Sequence, residues 1–186
     1  MNAVLFLTAV VFGLMLAEMQ HSRRHEALLR SHGAIEPPGD VYWALAWLYP
    51  VAFLAMGLEG AWRAHAAGLK GWETFGMPND GTPSWPVAGV LLFVASKALK
   101  YWAIGTLGER WTFRVLIQPG RPLVTTGPYR YVDHPNYIAV VGELVGAAMM
   151  LGARVSGPIM IALFGLALWA RVRFESRILR SMARPT

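Results

Sequence analysis

Arg171 and Glu175 stand four residues apart in the run Arg171-Val-Arg-Phe-Glu175-Ser-Arg177. On a helix that spacing puts both on one face. A guanidinium there can hold a carboxylate or phenolate with two bonds. The same pair also fits an ordinary surface ion pair beside a membrane anchor. His134-Pro135 opens an apolar run, with proline in its favoured first-turn place. This sets His134 and Tyr137 at a helix N-terminus, where backbone donors and the dipole favour an anion. Glu143 lies within that run. A carboxylate at membrane depth either meets a ligand or partners a cation such as Lys97 or Lys100. His21 and His25 could present two imidazoles to a metal from one helix face. No third ligand is near, and a solvated basic helix accounts for them. The chain has no cysteine, which excludes thiol catalysis and cysteine-based metal sites. It has no dinucleotide fingerprint, Walker A motif, nucleophile elbow or H-E-x-x-H.

The elements that must position these groups are apolar. Hydrophobic residues make up 55% of the 186 and charged residues 15%, against about 25% charged in ordinary globular chains. Mean hydropathy is +0.38. Five stretches read as spans: Met1–Ala17 with Glu18 and Met19, Val41–Trp62 with a kink at Pro50, Trp85–Ile104, Asn136–Leu151 and Pro158–Ala170. A span needs about 20 residues, so the last two are short, and residues 152–157 make them a tight hairpin. Lys97 and Lys100 are long enough to snorkel to headgroups. Residues 20–36 read as a short basic helix on the membrane surface, and residues 66–84 as a loop on the other side. The fold class is therefore all-α and polytopic, one domain of N-terminal helices (1–84) and a core (85–186).

The net charge of +6 is distributed unevenly. Residues 20–40, 107–135 and 171–186 carry 12 of the 17 lysines and arginines, and the opposite side carries Arg63, Lys70 and Arg154. The positive-inside rule then puts the N-terminus outside and the C-terminus in the cytoplasm, in a bacterial inner membrane. The charge attracts anionic lipid and is not a nucleic-acid footprint, since no soluble basic face is available.

Residues 107–135 form a loop too long to be a mere connection, rich in Gly, Pro, aromatics and arginine. Its run Leu123-Val-Thr-Thr-Gly-Pro-Tyr129-Arg130-Tyr131, then His134-Pro135-Asn136-Tyr137, then Arg171-x-x-x-Glu175-x-x-x-Leu179, resembles the isoprenylcysteine carboxyl methyltransferase family. The likeness covers roughly residues 85–180. It implies an integral membrane methyltransferase using S-adenosylmethionine. It also implies a lipophilic acceptor: a polyketide-type lipid, an isoprenylcysteine-like carboxylate or, with less for Arg171 to do, a phospholipid amine. By the same resemblance Arg121, Pro122, Leu123 and Val124 touch the cofactor, largely through backbone. Tyr129, His134 and Tyr137 line its pocket, and the amides around His134, Pro135 and Asn136 lie near its carboxylate. Glu175 accepts from the cofactor. Arg171 faces the methyl acceptor, and Gln118 is a further candidate; Glu143 is a further substrate contact on its membrane depth, not on the resemblance. No metal is implied. Two positions depart from the family pattern: Asp133 stands where a basic residue is usual, and Ser176 replaces the second residue of a Glu-Glu pair. A small transporter or a structural membrane subunit would explain the hydrophobicity but not the long loop.

Overall fold

A computed structural model describes residues 3–68, 85–118 and 121–182. Among these the protein is all-α. Five helices follow in order: α1 (Ala3–Ser31), α2 (Tyr42–Ala66), α3 (Trp85–Leu107), α4 (Pro135–Leu151) and α5 (Ser156–Met182). Two 3-10 turns, Gly108–Arg110 and Gly127–Arg130, punctuate the loop between α3 and α4. Helices α1, α2, α3 and α5 are long and apolar enough to cross a membrane; α4 is a shorter apolar helix. Most of the loop read over residues 66–84 lies outside the described residues.

Two expectations change. Residues 20–31 are not a separate surface helix, because α1 runs unbroken from its apolar half into its basic half. One face of that second half is buried, with Ser22 and Leu29 inside, so that face packs against the rest of the chain. Likewise α5 is not short: it continues past Ala170 to Met182, and its membrane-length stretch, residues 156–178, takes in Arg171 and Glu175.

The core gathers small and large apolar residues from all five helices, among them Val11, Phe53, Met56, Leu144, Ala147 and Phe164. Helices α3 and α4 approach most closely. A Cβ built on Gly146 would fall 2.7 Å from the Phe93 nitrogen and 2.8 Å from the Gly89 oxygen. Between apolar helices, where lipid competes equally for side chains, small residues that admit such backbone contact supply the packing. Gly152 ends α4 in the left-handed region, φ 64°, with cap bonds to Ala148 and Met149 carbonyls, and so makes the turn into α5. Across that turn Glu59 accepts from the Val155 nitrogen (3.1 Å), the Ser156 nitrogen (2.7 Å) and the Ser156 hydroxyl (2.7 Å). A carboxylate from α2 thus caps the positive end of α5.

The lysines of α3 also depart from expectation. Lys97 and Lys100 do not reach for headgroups: both are buried. Lys97 Nζ lies 2.7 Å from Glu18 and 3.0 Å from Glu143; Lys100 Nζ lies 2.6 Å from Glu18 and 3.5 Å from Glu143. The Tyr49 hydroxyl donates to Glu143. Two carboxylates face two ammoniums, so the four charges can stay inside a low-dielectric interior that would expel any one of them alone.

Candidate functional site

The long loop is fastened to α1 and to the α1–α2 connection before it meets the core. Trp111 is 2% exposed, and its ring lies beside His21 and Phe113. His25 Nδ1 is 3.0 Å from the Trp111 carbonyl. The two histidines therefore serve as loop anchors. Phe113 donates its backbone N–H to Ser22 Oγ at 2.8 Å. Arg114 donates to Glu36 at 2.6 Å and lies over the Tyr42 ring. Ile35 and Ile117 pair by two backbone bonds of 2.9 and 3.0 Å. The burial of Glu36 would raise its carboxyl, yet hydrogen bonds from Arg30 and Arg114 outweigh that and hold it below the usual range.

The second half of the loop turns at Gly127–Arg130 and enters α4 through His134-Pro135, with proline in the first turn. The His134 and Tyr137 rings then stack, centroids 5.1 Å apart. From α5, Arg171 meets them. Its Nε donates to the Tyr137 hydroxyl (2.9 Å) and to Glu175 Oε1 (3.1 Å), and its Nη2 to the Phe113 carbonyl (2.6 Å). Its Nη1 lies 3.5 Å from Asp40. Tyr137 donates in turn to Glu175, whose second oxygen is 3.6 Å from His134 Nδ1. Four stretches far apart in sequence, at Asp40, Phe113, His134–Tyr137 and Arg171–Glu175, meet at one point.

That point is one end of a cavity of about 490 Å³, a volume within the range of about 300–1,000 Å³ typical of small-molecule and cofactor sites. Arg171, Glu175, Tyr129, His134, Asn136 and Tyr137 line its polar end. Phe12, Met15, Leu45, Val140, Phe164 and Leu168 line its apolar arm between helices α1, α2, α4 and α5. Burial, with the Glu175 carboxylate nearby, pushes the Tyr129 phenol up to about 12, so it presents an uncharged ring and a hydroxyl at neutral pH.

The site residues read from sequence fall into three groups. Leu123, Tyr129, His134, Asn136, Tyr137, Arg171 and Glu175 share the cavity wall. Arg121, Pro122, Val124, Pro135 and Gln118 are outside it: Arg121 and Pro122 are exposed, and the Pro122 carbonyl accepts from Arg110 at 2.7 Å. Glu143 is fully buried behind the wall and meets the cavity only through Tyr49 and Lys100, which line it. Its partners are the lysines, the second of the two roles open to it. The structure adds Trp111, the Phe113 carbonyl and Asp40, none of which the motifs marked. The aromatic run Trp111-Thr-Phe113 was the available signal for the first two.

Comparison with known proteins gives this geometry a family. The isoprenylcysteine carboxyl methyltransferase (ICMT) family matches over residues 89–181. The chain belongs to the ICMT family. It is thus a membrane methyltransferase of the ICMT type, and such enzymes generally use S-adenosylmethionine. The matched stretch takes in α4, both motif segments and the Arg171–Glu175 pair. The uncharacterized protein YpbQ of Bacillus subtilis (strain 168) is 26% identical over 164 residues, 88% of this chain and 89% of its own length. An uncharacterized protein of Haemophilus influenzae (strain ATCC 51907 / DSM 11121 / KW20 / Rd) is 26% identical over 88 residues, 47% of this chain and 51% of its own. No solved structure matches.

The donors and acceptors of this cavity are of types that suit S-adenosylmethionine. Asn136 Oδ1 is a buried acceptor without a hydrogen-bond partner, and Trp111 Nε1 a buried donor without one. Both residues line the cavity. Buried polar atoms left open cost stability, so an unmet acceptor and an unmet donor beside a cofactor-sized space fit a ligand that carries amine and ring-nitrogen groups.

Proposed function

We propose that this protein is an S-adenosylmethionine-dependent O-methyltransferase. On this reading it methylates a carboxylate or hydroxyl of a lipophilic acceptor such as a polyketide-type lipid or an isoprenylcysteine-like compound. The observation that carries the reading is one cavity with two characters: an apolar arm lined by four helices and a polar end built on Arg171. A lipid tail suits the arm, while the acceptor oxygen suits the guanidinium.

S-adenosylmethionine supplies an electrophilic methyl group on a positively charged sulfur. The chain's residues then divide the remaining work. Arg171, held at three of its corners, directs its remaining N–H groups at the acceptor oxygen and fixes the angle of approach, the main source of rate in such a displacement. Glu175 accepts from the cofactor. At the N-terminus of α4 the backbone N–H groups of His134 and Asn136, on either side of Pro135, would be the donors to the cofactor's carboxylate. The rings of Tyr129 and Tyr137 would offer electron-rich faces to a sulfonium, and Leu123, with the backbone of Arg121, Pro122 and Val124, would help hold the cofactor. Glu143 supports the cavity wall from behind, through Tyr49 and Lys100. The loop and C-terminus face the cytoplasm of a bacterial inner membrane, consistent with the arginine distribution.

The test is direct. Protein in detergent is incubated with methyl-labelled S-adenosylmethionine and a bacterial lipid extract, and labelled product is identified by mass. Arg171→Ala and Glu175→Gln should abolish labelling in protein that still folds. Parental rates in both variants would remove the site. An amine-linked methyl in the product would instead establish phospholipid N-methylation, and a transporter would show no thermal stabilisation by the cofactor.

A further inference from the structure

The ICMT match begins at residue 89, yet the Arg171 guanidinium has a partner from well before it. Asp40 lies just ahead of α2 (Tyr42–Ala66), whose N-cap residue is Val41 and not the aspartate. The contacts of Asp40 lie elsewhere. The Val115 nitrogen donates to Oδ2 at 3.4 Å, and Oδ1 faces Arg171 Nη1 at 3.5 Å. Oδ1 is buried and has no hydrogen bond of its own, and the side chain is only 4% exposed. A carboxylate buried in this way is costly unless a cation answers it, and the cation is Arg171.

The segment that delivers Asp40 is itself held in place. Ile35 pairs with Ile117, and Glu36 binds Arg114. Gly39 takes a left-handed φ of 95°, and a Cβ there would sit 3.4 Å from the Phe174 ring, on the turn of α5 that follows Arg171. The chain bends there in a conformation that favours glycine.

We propose that Asp40 is the positioning residue for Arg171. It fixes the Nη1 side of the guanidinium while Glu175, Tyr137 and the Phe113 carbonyl fix the rest, so that the N-terminal half of the chain completes the methyl-transfer site. This rests on Arg171 facing the acceptor.

The test uses the full chain in detergent, with methyl-labelled S-adenosylmethionine and the lipid extract as acceptor. Asp40→Asn should bind the cofactor with parental affinity by calorimetry. Its labelling rate should fall on the order of 10- to 100-fold, as small misplacements of a positioned group do. Asp40→Glu should restore most of that rate. Phenylglyoxal modification of Arg171, mapped by mass spectrometry, should be slow in the parent and faster in Asp40→Asn. A parental rate and parental protection in Asp40→Asn overturn the proposal, as does a loss that Asp40→Glu leaves unrepaired. Arg171→Ala with full activity overturns both this proposal and the role of Arg171. An inactive Arg171→Ala beside a fully active Asp40→Asn overturns Asp40 alone. If no lipid accepts label, arginine protection decides the clamp without turnover.

Discussion

Removing one charge from the buried quartet should destabilise the protein, and removing a second should restore part of the loss. Lys97 bridges Glu18 at 2.7 Å and Glu143 at 3.0 Å. In Lys97→Met those carboxylates share Lys100 alone, and the interior gains one uncompensated negative charge. Breaking a buried pair this way costs about 3–5 kcal/mol. Lys97→Met with Glu143→Met leaves the Glu18–Lys100 pair, at 2.6 Å, and the interior is neutral again. The double variant still loses the acceptor of Tyr49, worth about 1–3 kcal/mol for a buried hydroxyl left unmet. It should therefore regain roughly 2 kcal/mol relative to the single variant. Equilibrium unfolding in mixed detergent micelles reads this difference. A double variant no more stable than Lys97→Met would refute the account, because it would show that the charges do not answer one another.

Two further outcomes follow from local geometry. Glu59→Ala removes the cap of α5, whose partners are the Val155 and Ser156 amides, and should cost about 1–2 kcal/mol without changing cofactor affinity; unfolding and calorimetry check the two parts. The Glu36 carboxyl titrates below its ordinary value of 4.5 because bonds from Arg30 and Arg114 overcome the effect of burial. Its stabilisation is thus fully present above pH 4.5 and is lost as pH falls through the lowered value. Glu36→Gln should flatten that acid limb in a titration of unfolding midpoint against pH, and an unchanged limb would remove the contribution.

Legibility from sequence differed by kind of residue. The apolar runs were readable because a span must be continuous over many residues, and the helices fall close to where those runs lie. Where α1 and α5 end was not readable, because polar second halves look like surface until tertiary partners such as Trp111 are known. Lys97 and Lys100 illustrate the same limit. A lysine near a helix end is read as snorkelling, and only the fold reveals that Glu18 and Glu143 lie opposite. At the site, His134, Tyr137, Arg171 and Glu175 were marked by motif and share one cavity wall. Asp40 was not marked, because a lone aspartate before a helix has the same sequence signature as a cap.

The division between marked and unmarked residues follows from what each position must do. Groups that hold a reacting atom tolerate little displacement, so residue type and spacing are fixed and leave a motif. A wall that receives a lipid tail needs only apolar side chains of roughly the right volume. Phe12, Met15 and Leu45 could be exchanged for other apolar residues with little trace in a sequence pattern. The first two helices therefore supply much of the cavity's apolar arm while lying outside the matched stretch of residues 89–181. Acceptor choice should then reside chiefly in α1 and α2, and methyl-transfer chemistry in α4, α5 and the loop before them. Asp40 is one of the places where the two halves touch: a residue from before the matched stretch, set against the Arg171 guanidinium within it.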